Sequence, residues 1–204
     1  MNNILIFDYD GVIVDSLEVF RKTLVRACEV HGYRKISDKS FLNLFNKNMY
    51  EGLFELGISK EKIPDILRSL ETGLLDAQNG IHLFEGIDSS LRELSINNKI
   101  FIITSNIGRV VQKFLESKNI DYYQSIIGGE KESSKVLKIE TIKTQFPNHN
   151  YFYIGDTGGD ILEGKKAGVK TVAVTWGWHS ESLLAQKNPD YIVHSPEELI
   201  QVLL

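Results

Sequence analysis

Asp8 and Asp10 stand one residue apart, directly after the apolar run Ile4-Leu5-Ile6-Phe7. Carboxylates leaving a buried strand are costly unless something compensates their charge, and a divalent cation or a phosphate site is the natural partner. In extended chain alternate side chains share a face, so both can address one site if that geometry continues past the strand end. Gly11 then lets the backbone turn without a side chain blocking a ligand. Other polar clusters follow apolar runs in the same way. Thr104-Ser105-Asn106 comes after Ile100–Ile103, and Gly155-Asp156 with Asp160 comes after Tyr151–Ile154. A lysine near Lys135 adds a cation. Oxygen ligands of this kind suit magnesium, whereas His31, His82, His149, His179 and His194 have no ligand spacing for zinc. The first strand leads into Asp-x-Asp-Gly, which argues against a dinucleotide fold, and no glycine-rich loop ending in Gly-Lys-Ser/Thr exists.

The elements that must position these groups alternate. After Asn3–Phe7, a helix start is read at Asp15-Ser16-Leu17-Glu18, with Asp15 as its cap and Gly32 ending the run. Only helical patterns occur from Ser37 to about Asn79. From Gly86 onward nearly all-apolar strands alternate with helices, the pattern of a parallel sheet covered on both faces. The expected fold is α/β, a doubly wound parallel sheet of Rossmann-like order with an inserted all-helical cap. Residues 1–15 and 81–204 make the core and 16–80 the cap. Ligands of such sheets lie beyond the carboxyl ends of the strands, where every polar cluster named above falls.

Bulk properties narrow the role. The chain has 204 residues, 42% hydrophobic and 25% charged, with a net charge of −4. No basic stripe is available for a nucleic-acid backbone, and no apolar stretch suggests a membrane span. Lys131, Lys135, Lys138 and Lys143 are interleaved with acidic residues and read as a solvated helix face with one functional lysine. A single cysteine, Cys28, and an early acidic residue in place of a leader point to a cytoplasmic setting. Trp176, Trp178 and His179 read as loop packing.

Together the motifs resemble the haloacid dehalogenase superfamily, in particular its helical-cap phosphatases, and the region from Val172 to Tyr191 looks most like the phosphoglycolate phosphatase group. Asp8-Tyr9-Asp10-Gly11-Val12 matches the first motif, Thr104 the second, Lys135 the third and Asp156 with Asp160 the fourth. The third motif departs from the family, since Val136-Leu137-Lys138 replaces its usual proline-containing continuation, which leaves Lys131 as a competitor for the role. The resemblance implies magnesium-dependent hydrolysis of a small phosphorylated metabolite, phosphoglycolate foremost, by a monomer or homodimer. In it Asp8 is the nucleophile, Asp10 the acid–base, and Thr104 and Lys135 hold the phosphoryl oxygens. Tyr9, Gly11, Ser105 and Asn106 contact substrate. Asp8, the Asp10 carbonyl and Asp156 hold Mg2+, with Asp160 orienting its waters. Arg21, Arg26, Arg34, Lys47 and Asn48 are cap residues within the insert that could meet an anionic substrate, although solvation at the surface is the commoner place for each. A sugar phosphomutase on the same scaffold is the alternative, and a phospho-acceptor signalling or binding domain the alternative of another class.

Overall fold

The computed structural model describes residues 3–33 and 36–204. Arg34 lies outside them. In chain order the elements are β1 (Ile4–Phe7), β2 (Val14–Asp15), α1 (Leu17–Val30), α2 (Asp38–Asn43), α3 (Met49–Glu55), α4 (Ile63–Asp76), β3 (His82–Leu83), α5 (Ile87–Asn97) and β4 (Lys99–Ile103). There follow α6 (Gly108–Ser117), β5 (Ser125–Ile127), α7 (Lys135–Gln145), β6 (Tyr151–Gly155), α8 (Gly158–Lys166), β7 (Lys170–Val174), α9 (Glu181–Ala185), β8 (Tyr191–Val193) and α10 (Pro196–Leu203).

All four residues of β1 are buried, which requires apolar cover on both faces of the sheet. One face packs Leu5, Phe7, Ile100, Ile102 and Ile154 against Leu91 and Leu94 of α5 and Val111 and Phe114 of α6. The opposite face packs Ile4, Ile6, Phe101 and Tyr153 against Ile139 and Ile142 of α7. The sheet is parallel throughout, in the order β5-β4-β1-β6-β7-β8. Phe7 lies opposite Ile102 of β4 and Ile154 of β6. The register therefore brings the loops after β1, β4 and β6 to one edge, with Asp8, Thr104 and Asp156 each just beyond a strand end.

Helices α1 to α4 pack around Phe20, Leu24, Phe41, Leu53, Ile66 and Leu70, a cluster that Ile107, Val110 and Trp178 join from outside the insert. Where the chain enters and leaves this insert, β2 and β3 pair antiparallel, Asp15 opposite His82. That pairing corrects the expected helix start. Asp15 is a strand residue, and α1 begins at Leu17 with Ser16 in the cap position, its hydroxyl turned to Asp10 instead of the helix amides. Helix α8 also starts earlier than its apolar pattern suggests. Thr157 caps it, and Asp160, three residues on, completes a reciprocal capping box. Among the described residues no helix is long and apolar enough to cross a membrane.

Candidate active site

The turn after β1 is tight, with the amides of Ile13 and Val14 donating to the Tyr9 carbonyl at 2.9 and 3.2 Å. Gly11 sits at φ +77°, and a Cβ there would collide with the Asp156 carboxylate. Its role is thus one of room, letting the first and fourth motifs touch. Tyr9 does not face the site as expected. Its ring is in the core, edge-on to Phe114 at 6.1 Å, because alternation along the chain sends it opposite to Asp8 and Asp10.

Lys135, at the first turn of α7, reaches Asp8 Oδ2 at 2.6 Å and Asp160 Oδ1 at 2.5 Å. Lys131 is exposed on the preceding loop and makes neither contact. Asp160 accepts further bonds from Tyr153 Oη at 2.6 Å and from the amide and hydroxyl of Thr157 at 3.0 and 2.6 Å. Burial opposes its charge, but Lys135 and these donors hold its pKa below the usual carboxylate value. Burial likewise opposes the charge on Lys135, yet Asp160 and Asp8 outweigh it and keep the ammonium protonated. Asp8 is pushed up to about 7, first by burial, with Lys135 pulling against it.

Asp156 is fully buried. Its Oδ2 accepts the Trp178 amide at 2.7 Å, while Oδ1 has no partner among the described residues. Burial, then Asp160 and Asp8, raise its pKa well above the usual value. Oxygens of Asp8, Asp156 and Asp160 lie within 4.8 Å of one another. An orphaned buried carboxylate oxygen beside two further carboxylates is what a hard divalent cation would relieve, so the residues fit magnesium.

Asp10 is held on both oxygens, by Ser16 Oγ at 2.7 Å and Asn106 Nδ2 at 3.0 Å. Burial raises it to about 6 against these donors. Asn106 thus orients a carboxylate, a link not read from sequence, and its own amide donates to Thr104 Oγ1 at 2.9 Å. Ser16 and Lys138 were also missed. Lys138 is not on a solvated face. It is 1% exposed and donates to the Thr104 carbonyl at 2.6 Å. Burial, then the neighbouring Lys135, lowers its pKa to about 7.

A cavity of about 20 Å³ lies over these groups, lined by Asp8, Asp10, Thr104, Ser105, Asn106, Lys135 and Asp156, and closed by Phe20, Phe45 and Trp178. The insert is fastened across it. Asn48 Nδ2 donates to the Ser133 carbonyl at 2.9 Å and to Glu163 Oε1 at 3.0 Å. His179 accepts the Gly158 amide on Nδ1 at 3.0 Å, leaving Nε2 to donate to the Leu42 carbonyl at 3.2 Å. Arg21 pairs with Glu18 and Asp38, Lys47 pairs with Glu55, and Arg26 is exposed.

Comparison with known proteins agrees with this architecture. The sequence profile described as haloacid dehalogenase-like hydrolase matches residues 5–174. A phosphoglycolate phosphatase of Synechococcus elongatus is 25% identical, over 98% of this chain and 96% of its own. A pyrophosphatase of Halalkalibacterium halodurans is 21% identical, with 98% and 96% covered. The crystal structure of a hydrolase from Pseudomonas syringae shares the fold with a TM-score of 0.83 at 19% identity, covering 99% of this chain and 98% of that one.

Proposed function

The chain belongs to the haloacid dehalogenase-like hydrolase family, and from that premise we propose that it is a magnesium-dependent phosphatase of small phosphomonoesters working through an aspartyl-phosphate on Asp8. The observation that supports this most is the meeting of Asp8, Asp10, Thr104, Lys135 and Asp156 in one cavity beyond the strand ends. An Asp8 oxygen attacks phosphorus and the bond to the leaving oxygen breaks, while Asp10 gives that oxygen its proton. A water then attacks the same phosphorus, Asp10 takes its proton, and inorganic phosphate leaves with Asp8 restored. Ser16 and Asn106 keep Asp10 in one orientation through both transfers. Lys135 and the Thr104 loop meet the oxygens on which charge shifts. Mg2+, held by Asp8, Asp156 and the Asp10 carbonyl, would offset repulsion between the carboxylate and the phosphate.

In this reading residues 16–80 act as a cap that closes over the ester and excludes water. Relatives named for phosphoglycolate and for pyrophosphate offer two candidate substrates, phosphoglycolate being the one suggested by the resemblance as well. The test is steady-state release of phosphate from a panel of monoesters with magnesium. Turnover without a bisphosphate activator, abolished by Asp8→Asn and by chelation, is expected. Full activity of Asp8→Asn would refute the mechanism, and a strict need for a bisphosphate would favour a mutase.

A further inference from the structure

Resting on the phosphatase reading, we infer that Lys138 is a positioning residue for phosphoryl transfer, aiming the Ser105 amide at a phosphoryl oxygen through its grip on the Thr104 carbonyl. Packing alone does not call for an amine at this place. Lys138 stands on the stripe of α7 that also carries Lys135, Ile139 and Ile142, and all four are buried. It is 1% exposed, and its Nζ donates to the Thr104 carbonyl at 2.6 Å. An apolar side chain would fill the same space without the cost of taking an amine out of water. The value of Lys138 lies instead in what its hydrogen bond does to the loop after β4.

Thr104 is held on three sides. Its amide donates to the Ile127 carbonyl at 3.1 Å, its Oγ1 accepts the Asn106 amide at 2.9 Å, and its carbonyl takes the bond from Lys138. The peptide joining it to Ser105 is trans, as are all peptides among the described residues. In a planar trans peptide the N–H points opposite to the C=O. Fixing the Thr104 oxygen on Lys138 therefore turns the Ser105 N–H away from that amine. Thr104 and Ser105 both line the cavity over Asp8 and Asp10, and Lys138 lies outside its lining. Among the described residues the Ser105 amide donates to no backbone carbonyl, which leaves it for an incoming oxygen. Once the insert opens to admit an ester, this N–H is a donor whose direction is set before charge builds on the phosphoryl oxygens. Donors fixed in advance in this way are the ones that stabilise a transition state most.

Lys138→Met keeps the length of the side chain and removes the donor. It is compared with wild type near pH 8, with magnesium, on whichever monoester of the panel wild type turns over fastest. In the variant kcat and kcat/KM should fall together by ~10-fold, because a misdirected donor is missed in the transition state and hardly at all in ground-state binding. The inhibition constant of vanadate, which imitates five-coordinate phosphorus, should rise by a similar ~10-fold. Mg2+ affinity by titration calorimetry should hold, and the melting temperature should not fall, since Lys138 touches no carboxylate of the site and its removal relieves a buried amine. Unchanged kcat and vanadate inhibition in Lys138→Met overturn the inference and leave the phosphatase reading standing. A loss confined to KM, or one accompanied by weaker Mg2+ binding or a lower melting temperature, overturns it as well, by marking Lys138 as structural only. A wild type that releases phosphate from no ester of the panel overturns the phosphatase reading and this inference with it.

Discussion

Lys138 permits a sharp test of the packing behind the site. A protonated amine, 1% exposed, donates to a single carbonyl, that of Thr104, and stands beside a second lysine. Its pKa falls from the ordinary ~10.4 to about 7. Between those values the unfolded chain binds the proton and the fold does not, so the free energy of unfolding rises with pH across that window. Near pH 6 the buried charge costs about 5 kcal/mol, and near pH 9.5 only about 1 kcal/mol remains. In Lys138→Met that cost disappears at every pH, but the Thr104 carbonyl loses its donor, worth ~1–3 kcal/mol. The variant should therefore be more stable than wild type by ~2–4 kcal/mol near pH 6, and equal or slightly less stable near pH 9.5. Urea unfolding of both proteins at the two pH values measures this. Groups remote from Lys138 titrate alike in both chains, so the change of about 3 kcal/mol in their difference reports Lys138 together with the charges it faces, Lys135, Asp8 and Glu163. A difference that does not change with pH would refute a depressed pKa at Lys138.

Two further substitutions probe the front of the site. Asp10→Asn should lower kcat ~10²–10⁴-fold while titration calorimetry still detects magnesium, and an unchanged kcat would remove Asp10 from proton transfer. Gly11→Ala places a methyl at φ +77° and against the Asp156 carboxylate. The backbone term alone is ~1–2 kcal/mol, so a lower melting temperature together with weakened magnesium binding is expected, and wild-type values for both would contradict the close approach.

The sheet was legible because strands buried on both faces must be apolar throughout, and the charged residues that end β1 and β6 then stand out. Asp15 misled because its partner, His82, is far along the chain, and no local pattern reports a strand of two residues. Lys138 was readable in principle. Lys135, Lys138, Ile139 and Ile142 form one stripe of α7 and all are buried, so the helix face that carries the third motif also carries Lys138 into the core. Counting it with Lys131 and Lys143 by composition concealed that spacing. Tyr9 could likewise have been sent to the core by the alternation that pairs Asp8 with Asp10.

The wall opposite the strand ends was hidden for a different reason. A carboxylate at the end of an apolar strand demands compensation, and that demand is visible in the order of residues alone. Phe20, Phe41, Phe45 and Trp178 make no such demand, since an aromatic side chain over a cavity has the same local pattern as one in a core. Trp178 comes from the loop after β7 and yet packs with the insert, a meeting that depends on the two being closed on each other. Its indole nitrogen is buried without a hydrogen-bond partner among the described residues, which appears only once the ring is surrounded. Carboxylates at strand ends are thus announced by the cost of placing them. Aromatic residues over the cavity carry no such cost, and their place there requires the folded chain to see.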